Sequence, residues 1–436
     1  MTGWESWTRR AAALIVFVIF LAAAICAAGL VPYALAAQTA SIIILTLSST
    51  LSFTLVVWAG ARIAAAIWPA SKPSGFATWS TGILAALFVV SLYVIVLRPV
   101  SLRLSERQPY ANTRYWQLPT GSRIAYSEFD PPASMTVKPY PIVFLHGGPG
   151  VVQAPFDQEI YGSFAADGFR VLLFDQAGSG LSAFLPRVRD YTITRSVDDL
   201  EAIRQQIGAE KLILIGHSWG STLAASYIAK YPGHIAKVVF HSPGSIWNLP
   251  ETKMDYSRTE SGSFRFPSPR LLAAMLLRDR NPDAAQNLLP QREAEELTVP
   301  AFAPTVTSLV CKGDSARLPQ FVSNLGATTE NPGFNMYVLQ ELIPQTDDPK
   351  GDPHGALRSN HTPAILLYPE CNYLPWSDVV DYRRTLPNLK VYYVPRAGHY
   401  IQFEQPELLR NVIRAFLLDQ PDAVPAYESD TDPRTK

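Results

Sequence analysis

The chain has 436 residues, and 37 Lys and Arg balance 37 Asp and Glu, so its formal net charge is zero. This balance argues against a nucleic-acid-binding protein, which needs a basic excess to neutralise phosphates, and a hydrophobic content of 48% argues against a disordered chain. Three cysteines (Cys26, Cys311 and Cys371) are too few for a disulfide framework or a zinc site, and we expect no metal or cofactor. We expect free, buried thiols, although a Cys311–Cys371 bridge is conceivable outside the cytoplasm.

The charged residues are distributed unevenly along the chain. Residues 1–97 contain only five of them, which leaves 69 of the 74 for the other 339 residues. The first part also contains three apolar stretches, each near the length needed to cross about 30 Å of hydrocarbon. We therefore predict a transmembrane region over residues 1–98 and a globular domain over 99–436. The predicted spans cover residues 11–31, 39–61 and 81–97.

Two alternatives for this region stay open, a cleaved signal peptide at the first stretch and a two-span or re-entrant arrangement. Arginines set the expected orientation, because positively charged loops stay inside. Arg9 and Arg10 precede the first span, and Arg62 with Lys72 separates the second from the third. This pattern predicts an integral membrane protein, in the plasma membrane, with its globular domain on the outer side. Arg98 and the arginines that follow it oppose this orientation.

From residue 115 onward, short apolar, β-branched runs alternate with helical patterns. Such runs suit strands that are buried on both faces of a mainly parallel sheet, and the alternation predicts a doubly wound α/β fold. Ser196 followed by Asp199 resembles a helix start, and Gln405-Pro406 opens a last helix. The predicted strands are a hairpin around Thr120-Gly121 and the runs at 141–147, 169–175, 211–217, 236–241, 362–368 and 389–394.

The candidate nucleophile is Ser218, in the sequence Gly216-His217-Ser218-Trp219-Gly220. This G-x-S-x-G pattern follows a predicted strand and precedes a predicted helix, which is the context that the motif requires. The glycines leave room for a strained turn that exposes the serine side chain to a base.

Two further loops complete the predicted chemistry. His146-Gly147-Gly148-Pro149-Gly150 follows a strand, and its tight turn can direct backbone N–H groups at a developing oxyanion, chiefly those of Gly148 and Trp219. His399 follows the last strand, comes last in the order serine, acid, histidine, and is the candidate general base. We expect the other histidines to be structural or exposed.

Three motifs carry a family resemblance: HGGPG (146–150), FDQAGSGLS (174–182) and GHSWGSTLA (216–224). They resemble the α/β-hydrolase superfamily, and more narrowly its proline iminopeptidase-like serine hydrolases, over roughly residues 115–420. The resemblance implies Ser218 as nucleophile, His399 as base, and Gly148 with Trp219 as oxyanion donors. It also implies that Asp175, in the second motif, has an architectural role.

The triad acid departs from the family pattern. The family places an aspartate after the seventh strand, where this chain has Tyr368-Pro369-Glu370-Cys371-Asn372. Asn372 stands at the aspartate's position, and an amide can accept the imidazole N–H but supplies no charge. Glu370 has a longer side chain that could reach the histidine. The sequence leaves Glu370, Asn372 and another carboxylate open, with Glu370 favoured.

The insert between the sixth and seventh predicted strands, residues 243–361, has the length of a cap that selects substrates. Family members hold a substrate α-amine with cap glutamates. Glu341 and the segment at 330–334 are the nearest candidates but match poorly, and Glu293, Glu295 and Glu296 suggest a solvated helix face.

We therefore predict a membrane-anchored serine hydrolase that acts through an acyl-enzyme, with a small peptide as substrate and an aminopeptidase specificity of the proline iminopeptidase type. The expected partners are this substrate and the lipid bilayer. A carboxylesterase or lipase-like hydrolase acting on an ester is the first alternative. A non-catalytic binding or sensor module with a degenerate triad, suggested by Asn372, is the second.

Overall fold

The computed structural model divides into two compact units, which we describe separately. The first consists of Met1–Ser101 with Pro267–Glu293, and the second of Leu102–Phe266 with Ala294–Lys436. Part of the predicted cap insert thus groups with the N-terminal residues, whereas the boundary at residue 98 and the insert limits stay predictions. The structure describes residues 3–68, 75–102, 108–247, 254–259, 266–302, 307–313, 316, 319–321, 335–345 and 349–435.

Three helices dominate the first unit: α1 (Gly3–Ala36), α2 (Ile42–Ile67) and α3 (Phe76–Leu92), the last extended by a π-helical turn over Tyr93–Leu97. Their apolar segments are long enough to cross a membrane, as the three predicted spans require.

Helices α1 and α2 pack closely against each other. A Cβ atom on Gly60 would lie 2.3 Å from the Cβ of Phe20, so only glycine allows this approach. The hydroxyl of Ser49 donates to the carbonyl of Ala28 at 2.8 Å.

Two short helices of the insert complete the first unit, α7 (Pro269–Arg278) and α8 (Pro282–Leu288). Glu293 follows them and forms a 2.9 Å ion pair with the buried Arg270. The prediction of a solvated face is therefore wrong for Glu293, whereas Glu295 and Glu296 are partly exposed.

An eight-stranded sheet forms the second unit, with the strand order β1-β2-β4-β3-β5-β6-β7-β8. The pairs β1–β2 and β2–β4 are antiparallel and all the others are parallel, which confirms the predicted mainly parallel α/β sheet. The strands are β1 (Thr113–Gln117), β2 (Arg123–Phe129), β3 (Ile142–Leu145), β4 (Val171–Phe174), β5 (Leu212–His217), β6 (Ile235–His241), β7 (Ala364–Pro369) and β8 (Leu389–Val394).

Helices cover the sheet, and a hydrophobic core lies on each face. The central strands are buried because both of their faces are covered, which explains their uninterrupted apolar sequences. The described α-helices of this unit are α4 (Pro155–Gly162), α5 (Ile193–Gln206), α6 (Trp219–Lys230), α10 (Met336–Gln345), α11 (His354–Leu357), α12 (Trp376–Thr385), α13 (Ile401–Glu404) and α14 (Pro406–Leu417). Helix α9 (Gln291–Phe302) crosses the boundary between the two units after Glu293.

The start of α5 differs from the prediction. Thr192, rather than Ser196, is the N-cap, and its hydroxyl accepts the N–H of Arg195 at 3.0 Å. Asp199 does not cap the helix, because its carboxylate is buried and accepts the hydroxyls of Thr120 and Ser122. The last helix begins at Pro406, as predicted.

A disulfide joins Cys311, in the insert, to Cys371, in the loop that follows β7. The expectation of free thiols at these two positions is therefore wrong, and Cys26 is the free cysteine. The bridge closes a loop with a sequence separation of 60 residues, which restricts the unfolded chain.

We predict that replacing both bridged cysteines (Cys311→Ser with Cys371→Ser) lowers the free energy of unfolding by about 2–4 kcal/mol, because the unfolded chain regains the entropy of an open loop. Urea unfolding of the full chain in detergent, followed by tryptophan fluorescence, measures this. Cys26→Ser is the matched control and should leave the midpoint unchanged. Equal midpoints for the double variant and the unreduced wild type would contradict the prediction.

Candidate active site

Ser218 occupies the turn between strand β5 and helix α6. Its backbone has φ 53° and ψ −120°, a conformation that is costly for a residue with a side chain. Such strain persists only where the surroundings impose it, and here the Ser218 N–H donates to the carbonyl of His241 at 3.1 Å. The turn thus has the geometry that the G-x-S-x-G pattern predicts.

The glycines of this turn are required by close backbone contacts. A Cβ atom on Gly220 would lie 2.0 Å from the carbonyl oxygen of Leu145, at the end of β3. A Cβ atom on Gly216 would lie 2.6 Å from the carbonyl oxygen of Gly220. Larger residues would therefore separate α6 from the sheet and displace Ser218.

One candidate oxyanion donor, Trp219, directly follows the serine, and the other, Gly148, lies in the glycine-rich loop. Trp219 is the first residue of α6, so its N–H has no intrahelical partner. Gly148 lies in the loop after β3 with φ 118°, and a Cβ atom there would lie 2.7 Å from the N atom of Val151. A Cβ on the neighbouring Gly147 would lie 3.0 Å from the Cβ of Ser218, which places this loop against the serine.

The loop after β4 supports the glycine-rich loop. The Gln176 N–H donates to Nε2 of His146 at 2.8 Å, and the Gln176 side-chain amide donates to the carbonyl of His146 at 2.9 Å. Asp175 accepts the N–H of Leu181 at 2.8 Å. The Gln176 contacts join the loop after β4 to the loop after β3, and the Asp175 contact lies within the loop after β4. Asp175 thus stabilises this loop, which is consistent with an architectural role.

His399 lies between strand β8 and helix α13, where both backbone and ring contacts hold it. Its N–H donates to the carbonyl of Leu309 at 2.8 Å, and its carbonyl lies 3.1 Å from Nε2 of His217. Its imidazole contacts the ring of Tyr373 with centroids 4.8 Å apart.

Asn372 forms a hydrogen bond with the His399 imidazole. Its Oδ1 lies 2.9 Å from Nδ1 of His399 and also accepts the N–H of Leu374 at 3.3 Å. A backbone N–H can only donate, so the atom facing Leu374 is the amide oxygen and not the nitrogen. The same oxygen must then accept a hydrogen bond from the Nδ1–H of His399, which leaves Nε2 of the neutral ring without a proton.

Glu370 lies elsewhere. Its Oε2 accepts the N–H of Arg396 at 2.9 Å, in a partly exposed position. The structure therefore brings Asn372, and not Glu370, into hydrogen-bond contact with His399.

Burial dominates the electrostatics of the site. It holds the pKa of His399 well below its usual range, and the neighbouring His217 lowers this pKa further. Burial also lowers the pKa of His217 to about 3. Asn372 is fully buried and carries no charge that would oppose this shift. His399 is therefore neutral near pH 7, the state that a general base requires.

Three supporting groups escaped the sequence analysis. The Glu404 carboxylate accepts the N–H of Gly398, next to His399, and the N–H of Cys311 at 3.0 Å. Arg434 donates to the carbonyl of Asn372 at 3.0 Å from the C-terminal segment. The third group is the carbonyl of Leu309, described above. No sequence motif marks these residues, and most of their contacts span large sequence separations, such as that of Glu404 with Cys311.

Of the two cap candidates for holding a substrate amine, the structure describes only Glu341. The segment at 330–334 lies outside the described residues, and Glu341 lies on α10 with part of its surface exposed. Within the described ranges, no group of His, Cys, Asp and Glu side chains could hold a metal ion.

Comparisons with known proteins agree with this architecture. A family model described as the alpha/beta hydrolase fold matches residues 140–277. A proline iminopeptidase of Neisseria meningitidis serogroup A is 34% identical over 133 residues, which cover 30% of this chain and 40% of that protein. A proline iminopeptidase of Heyndrickxia coagulans is 32% identical over 149 residues, covering 32% and 49%. The chain thus matches less than half the length of these relatives.

Among solved structures, a thermophilic esterase from Thermogutta terrifontis superimposes with a TM-score of 0.51 at 19% identity, covering 71% of this chain and 99% of the esterase. A bromoperoxidase from Bacillus anthracis gives 0.50 at 15% identity, covering 70% and 100%. At these identities the likeness concerns the fold alone. Together with the eight-stranded sheet and the serine turn, it shows that the chain has the α/β-hydrolase fold.

Proposed function

We propose that the protein is a membrane-anchored serine hydrolase in which Ser218 is the nucleophile and His399 the general base. The observation that carries this proposal is the strained Ser218 turn combined with the hydrogen bond between His399 Nδ1 and Asn372 Oδ1. That bond leaves the Nε2 lone pair of His399 available to take the serine proton.

In this mechanism Ser218 Oγ attacks the substrate carbonyl carbon while His399 Nε2 accepts the hydroxyl proton. The N–H groups of Gly148 and Trp219 stabilise the resulting oxyanion. Collapse of the tetrahedral intermediate breaks the bond to the leaving amine, which takes the proton from His399. Water then attacks the acyl-enzyme, His399 accepts its proton, and the carboxylic acid leaves with Ser218 restored.

The proposed substrate is a small peptide with a free N-terminus, from which the first residue, often proline, is released. This assignment is supported by the similarity to relatives named proline iminopeptidase, which are 32–34% identical over about a third of this chain. An ester is the second candidate, because the three long apolar helices of the first unit favour access to lipid-like substrates.

We also propose that the hydrolase unit lies outside the cytoplasm. The arginine pattern around the spans supports this orientation, and so does the Cys311–Cys371 disulfide, since disulfides persist in oxidising compartments.

We predict that the full chain in detergent reacts with a fluorophosphonate probe and releases chromophore from prolyl and alanyl amides. Ser218→Ala should abolish labelling and lower turnover by roughly 10³-fold or more, because the nucleophile is lost. If the chain hydrolyses acyl esters but not amides, the proposed activity is that of an esterase and not of a peptidase. A folded chain that does not react with the probe would contradict a hydrolase and favour a binding module.

We predict that Asn372→Asp raises kcat at least about tenfold at pH 8, because a carboxylate in this position stabilises the imidazolium that the reaction forms. Glu370→Gln is the comparison variant and should change kcat less than about threefold, since Glu370 contacts Arg396 and not His399. Kinetics with the same substrate measure both variants. A collapse of activity in Glu370→Gln would instead identify Glu370 as the working acid.

The pH profile gives a further prediction. Because burial and His217 lower the pKa of His399, the base stays neutral as the pH falls, and kcat/KM should keep its value to below pH 6.5. Asn372→Asp adds a negative charge, which raises this pKa and moves the acidic limb to higher pH. If kcat/KM of the wild type instead falls with a midpoint at pH 7 or above, His399 is not neutral near pH 7 and the prediction is wrong.

A further inference from the structure

A closed set of polar contacts joins the insert helices to the ends of the three long helices within the first unit. Arg270, on α7, donates to the carbonyl of Val96 at 2.6 Å, in the π-helical turn that ends α3. The side-chain amide of Asn281 donates to the carbonyl of Ala36, the last residue of α1, at 3.0 Å. That of Asn287 donates to the carbonyl of Ala40 at 3.0 Å. Helices α7 and α8 therefore cover the ends of the spans at one side.

Beneath these helices lies a cavity of about 630 Å³, within the range of small-molecule sites. All its lining residues belong to the first unit. Helices α1, α2 and the end of α3 form its walls, and α7 and α8 cover it on one side. The lining side chains include Ile25, Leu45, Leu92, Leu276 and Leu288. The lining also includes Ser49, but its hydroxyl is engaged by the Ala28 carbonyl. The site therefore fits an apolar chain and not a polar solute.

The depth of the cavity matches one leaflet of a bilayer. On α1 the lining residues begin at Ile25, eleven positions before the helix ends at Ala36, which corresponds to roughly 16 Å of helix. Half of the hydrocarbon core measures about 15 Å. On α2 the lining runs from Ile42 to Ser49, again at the end that α8 covers. An acyl chain of the leaflet on this side would therefore fill the cavity lengthwise.

A cation lies where a lipid headgroup would be. The guanidinium of Arg280 is 4.8 Å from the ring centroid of Tyr33, which itself lines the cavity. Arg280 is exposed, and no carboxylate among the described residues forms an ion pair with it. An arginine in this position suits the phosphate group of a lipid.

We propose that this cavity is a binding site for one acyl chain of a phospholipid, whose phosphate contacts Arg280. The proposal rests on the membrane insertion proposed above. The lipid would join α1, α2 and α7 and so stabilise the attachment of the insert helices to the spans.

The glycines of the spans provide a matched pair of variants. A Cβ atom on Gly29, which lines the cavity, meets nothing within 4 Å, so Gly29→Leu fills the cavity without a backbone clash. A Cβ atom on Gly82, in α3, also meets nothing within 4 Å, but Gly82 is not part of the lining. Both substitutions replace a helical glycine by leucine, and only the first occupies the site.

The test uses the full chain in nanodiscs that contain phosphatidylglycerol with a photoactivatable diazirine on one acyl chain. After irradiation, mass spectrometry maps the labelled peptides. We expect labelling around residues 25–33 and 273–288 in the wild type and in Gly82→Leu, and at least a fivefold loss in Gly29→Leu. A diacylglycerol with the same photoactivatable chain should label at least threefold less, and Arg280→Gln should remove this difference.

Equal labelling of the Gly29→Leu and Gly82→Leu variants would overturn the site, as would labelling spread evenly over the exposed faces of the three helices. Equal labelling of the wild type by the two lipids would overturn the phosphate contact. A chain that fails to float with liposomes would overturn the membrane insertion itself. Flotation without labelling at the site would overturn the lipid site alone, and the hydrolase assays of Ser218 are independent of both results.

Discussion

The hydrogen bond between His399 Nδ1 and Asn372 Oδ1 determines what the rest of the site can do. It favours the neutral tautomer that carries its proton on Nδ1 and leaves Nε2, the nitrogen that we propose as the base, without a proton, although Asn372 carries no charge. Two further hydrogen bonds hold Asn372. Its side-chain oxygen accepts the N–H of Leu374, and its backbone carbonyl accepts the guanidinium of Arg434. In the proposed mechanism the amide therefore orients the base, and the absent carboxylate weakens only the stabilisation of the imidazolium.

The same loop is fixed from the insert. Cys371 precedes Asn372 and is bonded to Cys311, whose N–H donates to the Glu404 carboxylate. Glu404 also binds the Gly398 N–H, and Leu309 binds that of His399. The insert segment around 309–311 thus contacts both the loop that contains Asn372 and the loop that contains His399, so it helps to fix their relative positions.

Local patterns were sufficient to predict the sheet and the serine turn, because buried strands need apolar runs and the turn needs glycines. The sequence does not show whether Glu370 or Asn372 contacts His399. Both lie in the loop after β7, and only the path of its backbone decides which side chain points to the histidine. Backbone bonds from Glu370 to Val394 and from Cys371 to Ala397 direct this loop. The disulfide and the grouping of α7 and α8 with the N-terminal helices depend on contacts between distant residues, for example Arg270 with Val96, which no local pattern records.

The most direct test of the account is the tautomer and pKa of His399, read from imidazole ¹⁵N chemical shifts of the full chain with labelled histidine. A His399→Gln variant assigns the signal among the seven histidines. We predict a neutral ring protonated on Nδ1 that titrates below pH 6.5, as burial and the Asn372 oxygen require. A ring protonated on Nε2, or one that titrates at pH 7 or above, would contradict the assignment of Asn372 as the group that orients the base.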